Sequence, residues 1–227
     1  MTILKKAACA ASIAAALAGT AYAMEGEPVG ASYVDFFSGA ALSEAWEQGY
    51  EPVQFAVENG HLVGRQVNPK HGATIRVFVD KTTDVVFAFE AKFSGKSNFN
   101  AVMGDPDSKD YTWAGHLARF SVRANTINLS DDVEGFMKLE HRALPKDQRD
   151  AASAAHRTDF KPSAPLNDGA WHSYRMETHG ETAKLYVDGE LLGELTSPGF
   201  KHPGKTRFGF TVNGEEVRFD NVVVAPL

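Results

Sequence analysis

The sequence predicts an all-β fold, a sandwich of antiparallel strands, and two observations carry that reading. In Thr182–Asp188 the apolar Ala183, Leu185 and Val187 alternate with Thr182, Lys184, Tyr186 and Asp188, and in Thr206–Val212 Phe208 and Phe210 alternate with Arg207 and Thr211. Each segment so has one apolar and one polar face, the pattern of an antiparallel sheet packed on one side. Between such segments stand Asn59-Gly60, Asp188-Gly189 and Asn213-Gly214. These residues accept the positive φ that a two-residue hairpin turn demands.

The chain opens with Lys5 and Lys6, an apolar run Ala7–Ala18 and the small-residue site Ala21-Tyr22-Ala23. That order predicts a secretory signal peptide over residues 1–23, and hence export to the periplasm or the extracellular space. The apolar run is shorter than the ~20 residues that span a bilayer, so no membrane insertion is expected. Residues 24–31 read as a flexible leader and 32–227 as a single β-sandwich domain. The one cysteine, Cys9, falls inside the cleaved segment, so the core and not disulfides must hold the exported domain. The formal charge is -6, and loss of Lys5 and Lys6 makes it more negative. Clustered cations for a nucleic acid or an anionic membrane are lacking, so neither partner is expected. Nothing in the chain predicts an oligomeric state.

The elements follow in order. Tyr33–Phe37 starts as a short strand, and Leu42–Gly49 reads as a turn or helical turn carrying Trp46. Phe55–Glu58 and His61–Arg65 form a hairpin, and Thr74–Val79 follows. In Asp84–Phe93, Val85, Phe87, Phe89, Ala91 and Phe93 face the core, while Val86, Ala88, Glu90 and Lys92 face away. Phe99–Met103 ends in the turn signal Gly104-Asp105-Pro106-Asp107. His116–Arg123, Thr126–Ser130 and Glu134–His141 are the next expected strands. Residues 143–166 break the pattern as an insertion, with a short helix around 145–157 that begins at Pro145 and continues through alanines. A connection of that length serves as a binding loop or lid, or is a solvated insertion without a special role. The last quarter, Trp171–Val224, returns to antiparallel strands.

Taken together, Asp35-Phe-Phe-Ser-Gly39, Leu42 and Trp46, Phe55-Ala-Val-Glu-Asn-Gly-His-Leu-Val63, Val86-Phe-Ala-Phe-Glu-Ala-Lys-Phe93 with Asn98, Gly169-Ala-Trp171-His-Ser-Tyr174, Val187-Asp-Gly189 and Val217-Arg-Phe-Asp-Asn-Val-Val223 resemble the 3-keto-disaccharide hydrolase-like family. The resemblance implies a concanavalin A-like jelly roll of two sheets and a hydrolase or lyase activity on oxidised (3-keto) or otherwise modified glycosides. Laminin-G-like and lectin domains share much of that frame, so a non-catalytic glycan-binding domain is the second reading. Two pieces depart from the family pattern. Phe208-Gly-Phe-Thr-Val-Asn-Gly214 lacks the glutamine and histidine of a Leu-Gln-x-His-Gly strand, and Ser97-Asn-Phe-Asn-Ala-Val102 lacks the glycine of an Asn-Ser-Gly-Ile piece.

Other catalytic signatures are missing: the paired glutamates of jelly-roll glucanases, a G-x-S-x-G elbow, HExxH and a phosphate loop. Candidates are therefore sought on the polar sheet face and its loops. Strand parity puts Arg119 outward, and Glu90, Lys138 and Glu140 are assigned to polar surface. Carboxylates and guanidinium groups there can grip sugar hydroxyls while Tyr111 and Trp113, on the loop entering the His116 strand, cover the apolar sugar face. Cross-strand charge pairing on a solvated face accounts for the same charged residues equally well, and core capping accounts for Trp113. His116 shares a face with Phe120 and Val122 and reads as a core-edge histidine at the margin of the binding surface. His141, beside Glu140, is the proton carrier this reading favours. On the enzyme reading His141 or Glu140 is the base and Arg119 or Lys138 the cationic clamp. Asp105 and Asp107, with Asp110 and Asp131-Asp132 nearby, offer oxygen ligands for calcium or another divalent cation. Turn formation explains these aspartates as well.

Overall fold

A computed structural model describes residues 31–49, 52 and 54–227. The signal peptide expected at 1–23 and all but the last residue of the leader lie outside the described residues. The strands are β1 (Tyr33–Asp35), β2 (Trp46–Gln48), β3 (Phe55–Glu58), β4 (His61–Gly64), β5 (Ala73–Thr82), β6 (Val85–Phe93), β7 (Asn98–Gly104), β8 (His116–Arg123), β9 (Thr126–Asp131), β10 (Arg157–Phe160), β11 (His172–His179), β12 (Thr182–Val187), β13 (Glu190–Thr196), β14 (Lys205–Asn213) and β15 (Val217–Pro226). Two short helices, α1 (Leu139–Arg142) and α2 (Lys146–Ala152), lie between β9 and β10.

Among the described residues the strands form two antiparallel sheets. Sheet I runs β13-β12-β11-β6-β15-β4-β3, with β1 also on β15; sheet II runs β10-β9-β8-β7-β14-β5-β2. Their apolar faces meet in one core rich in phenylalanine. Phe89 of sheet I stacks on Phe120 of sheet II at 5.8 Å and meets Phe210 edge-on at 4.8 Å, while Phe210 stacks on Phe219 at 3.9 Å. Each such ring contributes about 1.5–3 kcal/mol by leaving water, so the core holds the domain without disulfides. No helix among the described residues is long and apolar enough to cross a membrane.

Three expectations need correction. Trp46 sits on the short edge strand β2, not on a helical turn. Its ring is buried against Phe210, and its Nε1 donates to Asp35 Oδ2 at 2.9 Å, so this tether outweighs the local turn signal. Glu134–His141 is not a strand. The Asp131 carboxylate accepts the N–H groups of Val133 at 2.9 Å and Glu134 at 3.2 Å, which bends the chain off the sheet at once. The predicted 145–157 helix is confined to α2, with Pro145 as its cap, and the chain then re-enters sheet II as β10 against β9.

Two buried polar clusters fasten the loop at 197–205, before β14, to the sandwich. Asp131 Oδ2 accepts from Ser197 Oγ at 2.5 Å and from Gly199 N at 2.8 Å, and His156 Nδ1 lies 2.9 Å from the same Ser197 Oγ. That chain ties β9, the 133–156 excursion and the loop before β14 together. Lys205 is fully buried, and its ammonium donates to the carbonyls of Thr83, Phe200 at 2.7 Å and His202 at 3.1 Å.

In the middle of sheet II, Gly209 stands between Arg76 and Val102, and a Cβ there would lie 2.2 Å from Ile75 O. Because backbone cannot give way as a side-chain tip can, Gly209→Ala is expected to cost at least about 2 kcal/mol, seen as a lower urea midpoint with the m-value kept.

Candidate functional site

The outer face of sheet II is polar, and its register decides which side chains meet. Arg76, Gly209, Val102, Arg119 and Ser130 oppose one another across β5, β14, β7, β8 and β9. Gly209, Val102 and Ser130 are buried and Arg76 reaches across β14 to Thr211 Oγ1 at 3.0 Å, so the two arginines border a covered trough of the sheet. The neighbouring row is Thr74, Thr211, Asn100, Ser121 and Asn128, all hydroxyls and amides. Such a row suits the hydroxyls of a sugar.

At the end of this trough lies Asp132, one residue past β9. Its backbone N–H donates to Leu117 O at 2.9 Å, and its side chain is fully buried. One carboxylate oxygen, Oδ2, lies 3.2 Å from Arg119 Nε and 3.8 Å from His116 Nδ1. None of these three polar atoms, nor Asp132 Oδ1, has a hydrogen bond of good geometry among the described residues. A buried charge cluster left unsaturated in this way is costly to the fold and is a mark of a functional site. Burial pulls the pKa of His116 down, against the pull of Asp132 and with the help of Arg76 and Arg119. The imidazole is therefore neutral at pH 7, with Asp132 on its Nδ1 side.

Sequence parity put His116 on the core face with Phe120 and Val122. A register shift between Met103 and Gly104 pairs Gly104 with His116 and re-aims the start of β8, as bulges do. That shift brings His116 to the Arg119 side.

The excursion from Val133 to His156 lies against this face. It is anchored by Trp113 N donating to Met137 O at 2.7 Å and by Leu139 N donating to Tyr111 O at 2.9 Å. The Phe136 ring has the Arg119 guanidinium 5.8 Å from its centre and that of Arg149 at 4.6 Å, and Arg142 lies 4.5 Å from the centre of Trp113. Trp113 itself is 53% exposed, so it stands at the rim and does not cap the core.

The remaining candidates are dispersed. Tyr111 is half-exposed, with its hydroxyl bonded to Ser108 Oγ at 2.7 Å and to His202. Lys138 pairs with Glu134 at 2.9 Å in the turn before α1, and Glu140 is exposed on α1. Neither sits on a strand face. His141 Nδ1 is 2.9 Å from Gly135 O, a contact that holds the turn. Glu90 projects from sheet I, on the far side of the core from Arg119, where Asn221 Nδ2 donates to it at 2.8 Å. Asp105 caps the turn Pro106–Asp110, accepting from Asp107 N at 2.9 Å and Ser108 Oγ at 3.2 Å, and Asp107 is exposed. With Asp131 and Asp132 engaged as above, the aspartates do not converge: among the described residues no three His, Cys, Asp or Glu side chains are placed to share a metal ion. Arg76, Arg142, Arg149 and Phe136 carry no signal of binding in the sequence, and Asp132 reads there only as an oxygen ligand for a cation. Extending the β9 parity by two residues beyond Ser130 would have put Asp132 beside Arg119.

A family model described as the 3-keto-alpha-glucoside-1,2-lyase-like domain matches residues 32–225. The chain belongs to this family. Membership marks the domain as carbohydrate-active. Solved structures share the two-sheet frame. A laminarinase catalytic domain from Thermotoga petrophila RKU-1 superposes with a TM-score of 0.60 at 13% identity, over 86% of this chain and 96% of that one. A GlcNAcα1-4Gal-releasing endo-β-galactosidase from Clostridium perfringens gives 0.57 at 17%, over 91% and 66%. A sialidase gives 0.58 at 15%, over 88% of this chain, which spans only 19% of that one. At these identities the likeness establishes the jelly-roll fold alone. No curated protein matches the chain in sequence.

Proposed function

We propose that this family member is an exported enzyme that cleaves 3-keto glycosides by elimination, with His116 as base and Arg119 as clamp. The observation that carries the proposal is the meeting of a neutral histidine and a guanidinium on one buried carboxylate, Asp132. A ketone at carbon 3 acidifies the proton on carbon 2. His116 Nε2 takes that proton, the electron pair forms the carbon 1–carbon 2 double bond, and the carbon 1–oxygen bond breaks as the leaving oxygen takes a proton from solvent water, leaving as the alcohol. Arg119 stabilises the negative charge that builds on the ketone oxygen. Asp132 orients the imidazole and stabilises it once charged, as a carboxylate on Nδ1 does. The signal-peptide pattern at residues 1–23 supports action outside the cytoplasm.

The test is incubation of the purified protein with glucosides and their 3-keto derivatives, with released products followed by mass spectrometry. Product from the 3-keto compounds that vanishes in His116→Ala supports the assignment. Binding without turnover would leave a glycan-binding domain, for which the exposed Trp113 is a suitable platform. Because the base must be neutral and burial lowers its pKa, the acidic limb of the kcat/KM profile should lie below pH 6.5, the ordinary histidine value. Activity should so persist into mildly acid solution. A limb at or above pH 6.5 would argue against His116.

A further inference from the structure

The site has far more positive charge than its own carboxylates balance. Three guanidinium groups, those of Arg119, Arg142 and Arg149, gather around Phe136 and Trp113. Of the three, Asp132 pairs with Arg119 alone; Glu134 is taken by Lys138, and Asp150, which lies in the field of Arg149, is taken by Lys146 at 2.6 Å. Arg149 Nε is buried without a hydrogen-bond partner, and Arg142 has only the Met137 thioether at 3.8 Å as acceptor, a weak one. Gathering three like charges is unfavourable in a partly dry site, and this is done in a chain whose net charge is -6.

We propose that the arginine cluster where the excursion meets sheet II takes an anionic sugar, with a carboxylate or sulfate oxyanion on the sugar held between Arg142 and Arg149. A guanidinium fork matches the paired oxygens of either group and bonds them at two points. The rings have a definite part in this: Trp113 supports the Arg142 plane, and Phe136 supports Arg149 on the side where Arg119 reaches the reacting sugar. Burial first, and then the fields of Arg149 and Arg119, pull the Arg142 pKa down. This inference rests on the trough being the sugar site.

Isothermal titration at low salt with methyl glucuronide, glucose 6-sulfate, methyl glucoside and inorganic sulfate tests it. Methyl glucuronide or glucose 6-sulfate should bind at least tenfold more tightly than methyl glucoside, and rising salt should narrow the gap. Whichever of the two binds better identifies the oxyanion. Arg149→Gln and Arg142→Gln should each cut the ratio severalfold, and Arg149→Lys, which keeps the charge, should keep part of it. Equal affinity for charged and neutral sugars, or a ratio that survives both glutamine variants, overturns the proposal. So does inorganic sulfate binding as tightly as the charged sugars. The outcome is separable from that of the proposed reaction. In His116→Ala the uronide preference should persist without turnover, whereas turnover of neutral 3-keto glucosides with no preference for charge would sink this inference alone.

Discussion

Asp132→Asn should lower kcat on a 3-keto glycoside by about 10²–10⁴-fold, the range of a general acid–base contribution, while ligand binding is kept. The amide still fills the buried space beside Arg119 and His116, but it no longer carries the charge that fixes the imidazole and stabilises its protonated form. If Asp132 works only through His116, the double variant with His116→Ala should be no slower than His116→Ala alone, since members of one catalytic unit do not add. Multiplied losses in the double variant would show that Asp132 has a separate role in holding the fold. Melting temperature, read alongside the kinetics, separates the two, because loss of a buried pairing appears there first.

Lys205→Met should be the most damaging single change to stability. Three carbonyls that now accept from one ammonium, those of Thr83, Phe200 and His202, would be left buried and unpaired. At about 1–3 kcal/mol for each orphaned group, the loss is at least about 3 kcal/mol, or about 10 °C in Tm for a domain of this size. Arginine should not rescue it, because the acceptors converge on a point and a planar fork cannot reach all three. Burial pushes the Lys205 pKa from 10.5 down to about 8. The unfolded chain therefore holds that proton more tightly than the folded one, and stability should rise as pH increases from about 8 towards 10. Above that, Tyr33 and Tyr174, whose pKa values burial pushes up, reverse the trend. Urea midpoints at pH 8, 9 and 10 should climb in the parent protein and stay flat in Lys205→Met.

The alternating segments were legible because a strand's inward and outward faces are decided residue by residue. Val85 to Phe93 and Ala183 to Val187 both lie as their parity predicts. Parity does not say, however, which of two outer surfaces a polar face belongs to. Glu90 and Arg119 were both outward and nevertheless lie on opposite sides of the molecule, because β6 and β8 are sorted into different sheets by pairings far apart in sequence. His116 was misplaced for a related reason, since a bulge leaves no local trace in the residues it rotates. The turn after β9 depends on Asp131 reaching back-to-back N–H groups and a distant serine, so the strand expected at 134–141 had nothing nearby to contradict it. Sequence thus found Arg119 and Trp113 but could not join them to Asp132, Arg142 or Arg149.

The two walls of the site have different origins. The sheet wall is assembled from five strands scattered along the chain, so altering its shape means altering a ladder on which the whole sandwich depends. The other wall is one unbroken stretch, residues 133–156, fastened at a few points such as Ser197 and Tyr111. On the proposed reading, recombination or insertion within that stretch would retool which sugars are accepted while the proton chemistry on the sheet is inherited intact.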